Sequence, residues 1–183
     1  MSSQRTQGPE TDGQTTVAIR PPRMADGGGM WRVARDSETL DLNTSYAYVL
    51  FARDFASTCR VALVGDEVVG FVLGYRRPEH PDRLFVWQVA VDADQRGKGL
   101  SGRLLDDLVA GARTDGSPIE WLETTITDDN IASQRLFASF ARRWSAEEHV
   151  AALFLTEHFP DAHDPEPVHV IGPLGVAPAA AEV

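Results

Sequence analysis

The sequence of 183 residues contains a single cysteine, Cys59. An internal disulfide and a cysteine-built metal cluster are therefore both excluded. Cys59 lies in the strand-like run TCRVALV (Thr58–Val64) and reads as a buried, inert thiol, since no base can be assigned to it. Long apolar runs are missing too: no window approaches the roughly 18 consecutive apolar residues of a membrane-spanning helix. The first residues, MSSQRTQGPETDGQ, are polar and carry no apolar signal core, so the expectation is a cytoplasmic protein without a secretion signal. Basic charge is in deficit. Lys and Arg number 17 against 27 Asp and Glu, for a net charge of −10, the opposite of the basic footprint of nucleic-acid binders. Neither nucleic acid nor a membrane is an expected partner. An acidic cleft does attract small amines; solubility alone is the plainer reading of the same excess. No group of His, Asp and Glu has metal-ligand spacing, so no metal is expected. Ser101, Ser133 and Ser139 have no Ser-His-Asp context, which argues against a serine hydrolase.

What is present fits one soluble domain. The apolar fraction is 43% and the length suffices for a sizeable core. Residues 1–15 read as a disordered tail, 16–174 as the domain, and 175–183 as a flexible, low-complexity end. VAIRPP predicts a first strand stopped by prolines. MADGGGMWRVARD leads into a helix around Trp31, and DLNTSYAYVLFARDF carries turn formers followed by an apolar helix over 43–55. RVALVGDEVVGFVLGY is a hairpin turning at Gly65-Asp66-Glu67. RPEHPDR reads as a loop and LFVWQVAV as a long strand. Leu100, Leu104, Leu105 and Leu108 recur at helical spacing. Gly116-Ser117-Pro118 breaks the chain before the strand IEWLETTI. Asn130 is a candidate cap for a helix whose face is Ala132, Leu136 and Phe140. HVAALFL and VHVIGPL close the chain as late strands.

The segment between the long strand and the leucine helix is the chemical signal. Gly97-Lys98-Gly99-Leu100-Ser101-Gly102 matches G-x-G-x-x-G, after a strand and opening a helix. A dinucleotide fold would need repeated β-α-β units. Here the preceding strands form a meander and only one crossover follows. Arg96 and Lys98 instead suit a pyrophosphate held by backbone N–H groups at a helix N-terminus. An ordinary strand-to-helix turn is the duller alternative.

These residues resemble the GNAT acyltransferase superfamily. Arg96 and Gly99 match marked positions of its acetyl-CoA signature Q/R-x-x-G-x-G/A, with Ser101 in place of the last small residue. Asn130, Ser133, Leu136 and Phe137 match its N-x-x-A/S-x-x-L-Y/F helix. The resemblance spans roughly residues 17–174. It implies an α+β fold: a mixed, twisted sheet of about seven strands with helices on both faces, splayed where the acetyl-CoA arm enters. It implies acetyl-CoA as co-substrate, held by Val89, Val91, Arg96, Gly97, Lys98, Gly99, Leu100, Ser101, Asn130 and Ser133. The tyrosine that many members use to protonate the departing thiolate is here Phe137.

A narrower resemblance, to the diaminobutyrate N-acetyltransferases of ectoine synthesis, rests on three segments. They are Asp41–Tyr46, Phe85–Asp92 and His163–Glu166. It implies acetylation of the γ-amine of L-2,4-diaminobutyrate and a homodimer. Asp41, Thr44, Tyr46, Trp87, His163 and Glu166 become the substrate residues, with Glu166 or Asp41 as the proton acceptor. The chemistry suits them: carboxylates pair with ammonium, hydroxyls bind polar groups, and an indole face attracts a cation. Each has a plainer role open to it. Asp41 would cap a helix, Trp87 would fill core, and His163 and Glu166 would be solvated loop residues. Another small amine, a protein substrate, or a CoA sensor without turnover are the competing functions.

Overall fold

Cys59–Val64 (β2) and Glu67–Arg77 (β3) form the expected hairpin, closed at Gly65-Asp66. The computed structural model describes residues 16–38, 40–114 and 118–178. The proposed 1–15 tail, the Gly116-Ser117 break and the last five residues lie outside these. The remaining elements are β1 (Val17–Arg20), α1 (Gly27–Ser37), α2 (Ser45–Asp54), β4 (His80–Val91), α3 (Leu100–Ala112), β5 (Trp121–Thr125), α4 (Ile131–Arg143), β6 (Glu147–Phe154) and β7 (Glu166–Gly172). The sheet runs β1-β2-β3-β4-β5-β7-β6, and only the β4–β5 pair is parallel. Helices cover both faces. Leu104, Leu105, Leu108, Phe137 and Phe140 of α3 and α4 pack on Val72, Leu84, Val86 and Leu122. Met30, Val33 and Tyr48 of α1 and α2 pack on Val61, Phe71 and Leu73. This is the mixed sheet with two helical layers that the resemblance implies.

Two irregularities in the central strand shape the site. Leu73 pairs with Gln88 but Gly74 with Val86, so Trp87 is an extra residue in β4, a β-bulge. Leu84 and Val86 face the α3/α4 core, whereas Ala90 faces the α1/α2 core. A strict period of two would send all three to one face; the bulge reverses the phase. Second, β4 pairs with β5 only at Arg83–Trp121, Leu84–Leu122 and Phe85–Glu123, although β4 continues to Val91. Beyond Phe85 the two strands diverge, and β5 pairs on its other edge with β7.

Gly74 makes the bulge possible. A Cβ there would lie 2.7 Å from the Phe85 carbonyl oxygen and 3.2 Å from that of Thr58. Gly74→Ala is expected to cost about 1–3 kcal/mol in denaturant unfolding. Gly28→Ala, where a Cβ meets nothing within 4 Å, should be neutral or mildly stabilising, since alanine suits a helix better. Cys59 donates to the same Gly74 carbonyl (3.6 Å), and burial pushes its thiol pKa up to about 12. It is the inert thiol the sequence predicts.

Three expectations change. RPEHPDR is no loop: only Pro78-Glu79 turns, and pairing with β3 carries β4 through Pro81, with a register shift at Arg77 absorbing it. In α4 the buried residues are Phe137, Phe140 and Ala141, while Ala132 is exposed: the first turn of α4 extends past the core, with Ser133 on the cavity and Ile131 and Ala132 in solvent. At the C-terminal end, Gly175 is tied to the domain. Its N–H donates to the Trp144 carbonyl, and its own carbonyl accepts from Arg113 (both 2.9 Å).

Candidate active site

A cavity of about 670 Å³ opens where β4 and β5 part. Val86–Val89 form one wall, Thr124–Thr127 the other, and Asn130, Ser133 and Phe137 of α4 close one side. The far end holds Leu40, Asp41 and Asn43 from the loop before α2, Phe51 from within α2, and Phe154, Phe159, His163 and Glu166 from the β6–β7 region. Seven strands thus bring together residues more than a hundred positions apart in sequence.

At the far end three ionisable side chains converge. His163 Nε2 lies 3.5 Å from Glu166 Oε1 and 3.8 Å from Asp41 Oδ2. His163 Nδ1 is 2.7 Å from the Asp164 carbonyl, which only accepts, so Nδ1 is the donor and Nε2 is left to the carboxylates. The ring stacks on Phe159, with centroids 4.0 Å apart. That backbone bond, followed by the charges of Glu166 and Asp41, raises the imidazole pKa above its ordinary value. Glu166 Oε2 accepts a short hydrogen bond from the Thr125 hydroxyl. Exposure separates the two acids: the Glu166 side chain is 23% exposed and that of Asp41 is 96% exposed. Among the described lining residues His163 is the one basic side chain. Trp87, 39% exposed, leans against Phe51 at 5.1 Å. It is cavity wall rather than core.

The Gly loop lies just beyond β4. Asp92, its first residue, takes a bidentate ion pair from Arg32 of α1 (2.9 and 3.0 Å), which fixes the strand's end. Gly97 and Gly99 both adopt left-handed conformations, with φ of 75° and 72°. Gly99 caps α3 with no side-chain bond. The first-turn N–H groups of a helix have no intrahelical partner, so they are free to meet an anion. Lys98 is exposed beside them, and Arg96 reaches the Ser37 carbonyl at 3.4 Å. Leu100 is buried core and Ser101 half-buried. These residues fit a pyrophosphate, and the unpaired edge of β4 fits an extended arm that adds as a strand.

Of the residues singled out in the sequence, Asp41, Trp87, Val89, Asn130, Ser133, His163 and Glu166 line the cavity. Asn130 also caps α4, accepting from the Ser133 N–H at 3.0 Å. The side chain of Val91 is buried in the α3/α4 core. Thr44 caps α2 without a side-chain bond and Tyr46 is 68% exposed; neither lines the cavity. Sequence reasoning passed over Gln88, Thr125, Phe51 and Phe159. Gln88 had a signal: one amide inside the apolar run FVWQVAV.

Comparison with known proteins agrees with this geometry. Residues 29–141 match the acetyltransferase (GNAT) family. The chain is 54% identical over 167 residues to the L-2,4-diaminobutyric acid acetyltransferase of Streptomyces coelicolor, covering 90% of this chain and 97% of that one. It is 41% identical to the enzyme of the same name from Halalkalibacterium halodurans, covering 95% and 91%. Among solved structures it is similar to the diaminobutyrate acetyltransferase EctA from Paenibacillus lautus, determined with L-2,4-diaminobutyric acid and coenzyme A. That likeness has a TM-score of 0.80 at 37% identity and covers 87% of this chain and 96% of the other.

Proposed function

The chain belongs to the GNAT family of acetyltransferases, and from that premise we propose that it acetylates the γ-amine of L-2,4-diaminobutyrate with acetyl-CoA, the acetylating step of ectoine synthesis. The observation that carries this reading is the convergence of Asp41, His163 and Glu166 at one end of a cavity whose other wall is the open edge of β4.

Acetyl-CoA supplies a thioester, whose carbonyl carbon takes the amine's lone pair and whose sulfur leaves as the thiol. Its pyrophosphate is held by the N–H groups after Gly99, with Lys98 and Arg96 nearby, and its arm runs along β4 past Val89 toward α4. Backbone N–H groups of β4 near the Trp87 bulge polarise the carbonyl. The protein does the rest by position and proton transfer. Glu166, sheltered and fixed by Thr125, accepts the proton that the γ-ammonium must lose before nitrogen can attack. Asp41, in solvent, attracts the second ammonium. His163 in its protonated form offers the substrate carboxylate a cation. Phe137 cannot protonate the leaving sulfur, so solvent or one of the cavity's hydroxyls fills that role.

A panel of amines tests the reading. CoA release should be fastest with L-2,4-diaminobutyrate and slower with ornithine, lysine, 2,3-diaminopropionate and spermidine. Equal or faster release with a polyamine contradicts it, and binding of acetyl-CoA without release from any amine would make the protein a sensor.

The raised pKa of His163 gives a signed pH dependence. Its imidazolium persists to higher pH than that of free histidine. Substrate affinity that uses this charge is complete below about pH 6.5 and fades as pH rises through the raised value. The folding stability contributed by its ion pairs follows the same direction. KM for diaminobutyrate should therefore climb on the alkaline side, and His163→Gln should flatten that climb.

The same reading places the protein in the cytoplasm, as an osmoprotective enzyme, and as a homodimer. No helix among the described residues is long and apolar enough to cross a membrane. The edge strand β6 supports self-association, since Val150, Leu153 and Phe154 are all exposed on it. Sedimentation should give twice the chain mass, and Val150→Lys should shift it toward the monomer.

A further inference from the structure

The loop that carries Asp41, residues 40–44, has no regular structure, so something must set its distance from β4. Tyr48 of α2 holds the loop at Asn43, and the link from residue 41 to β4 itself is a buried side chain. Gln88 is 5% exposed and follows the Trp87 bulge. Its Nε2 donates to the Asp41 carbonyl at 2.9 Å, and its Oε1 accepts from the Tyr48 hydroxyl at 3.1 Å. Tyr48 is fully buried in α2 and packs edge-on against Phe71 of β3, centroids 5.8 Å apart. Asn43 Nδ2 approaches the same Asp41 carbonyl at 3.3 Å. The backbone of residue 41 is thus pinned to the central strand, although its carboxylate stands in solvent.

We infer that Gln88 is a positioning residue for substrate length: by tying the Asp41 backbone to β4, it fixes the span between the ammonium-binding end of the cavity and the strand at which acetyl is delivered. The inference rests on the proposed diamine function and deepens it. The phase reversal at Trp87 is what turns Gln88 toward α2. A glutamine at this place has both the donor that residue 41 needs and the acceptor that Tyr48 needs, and a buried amide half-satisfied would be costly. With the link cut, the loop retains its residues but loses its register, and a diamine one methylene longer or shorter fits almost as well as the right one.

The test is a competition. L-2,4-diaminobutyrate, ornithine and 2,3-diaminopropionate are mixed in equal amounts with acetyl-CoA, and products are counted by mass. Wild type, Gln88→Met and Tyr48→Phe are compared, with calorimetric binding of each amine to the CoA-loaded protein and the melting temperature of each variant. The expected result is a wild-type preference for diaminobutyrate that falls about tenfold in Gln88→Met, the size of discrimination one methylene provides, and less in Tyr48→Phe. KM for acetyl-CoA should stay within about twofold, because binding not coupled to the lost contact is unaffected. An unchanged preference, or equal losses for all three amines and for acetyl-CoA, overturns the role of Gln88 and leaves the diamine function standing. A wild type that acetylates none of the three overturns both. Should Gln88→Met not fold, Tyr48→Phe removes one hydroxyl only and decides by the same ratio.

Discussion

Glu166→Gln should lower kcat/KM for L-2,4-diaminobutyrate by about 10²–10⁴-fold, the usual contribution of a positioned proton acceptor. The amide keeps the shape of the carboxylate and an oxygen for the Thr125 hydroxyl, so the fold should hold. What it cannot do is take a proton. The substrate amine is cationic at neutral pH, and its lone pair is available only after that transfer. Because the loss is in proton acceptance, the variant should recover part of its rate at high pH, where the free amine exists in solution, and wild type should gain much less. Asp41→Asn makes the contrast. Its carboxylate is 96% exposed, and solvent weakens what such a charge contributes; a loss of about tenfold or less, mainly in KM, is expected. Steady-state kinetics over pH 6–10 for both variants checks the assignment. Equal losses would mean that the two acids act as one unit around His163.

Acetyl-CoA at a hundredfold excess over its Kd should raise the melting temperature by about 5–10 °C, from the stabilisation that saturating ligand confers and the size of the domain. Gly99→Val should abolish most of that shift. At φ 72° a branched side chain is strained although the space around it is open, and relieving that strain distorts the turn that presents the N–H groups of α3 to the pyrophosphate. The variant should melt somewhat below wild type without ligand and raise KM for acetyl-CoA about tenfold or more, each 1.4 kcal/mol of lost binding being tenfold. Thermal melts with and without acetyl-CoA and with CoA read this directly. A shift in Gly99→Val as large as in wild type would place the anion elsewhere.

The path from sequence to site was uneven, and the reasons are physical. FVWQVAV followed by two glycines and a leucine helix is local information, and β4, the Gly loop and α3 stand where it puts them. The element order was equally legible from hydrophobic period and turn residues. The substrate end is different. Asp41, His163 and Glu166 meet because β7 inserts between β5 and β6, which lays Glu166 beside Thr125. No local pattern encodes that insertion, and only the family resemblance pointed to these residues. Thr44 and Tyr46 came from the same resemblance, yet they lie outside the cavity of this chain. Gln88 was passed over because an amide in a strand ordinarily faces solvent. Only the bulge, which period counting cannot anticipate, moves it from the α3/α4 face of the sheet to the α1/α2 face, where Tyr48 and Asp41 meet it. Phe51 and Phe159 carry no local mark of a cavity wall, because aromatics at helical spacing or beside a turn usually fill core.

The most direct test of the account is the position of the acetyl group. The protein is incubated with acetyl-CoA and L-2,4-diaminobutyrate, and the product is assigned by NMR. Acetyl on the γ-nitrogen, with the α-amine free, is the predicted result, because Asp41 and His163 hold the α-amino and carboxylate groups while Glu166 takes the proton of the γ-amine. Acetyl on the α-nitrogen, a mixture of both, or no acetylated product would contradict it.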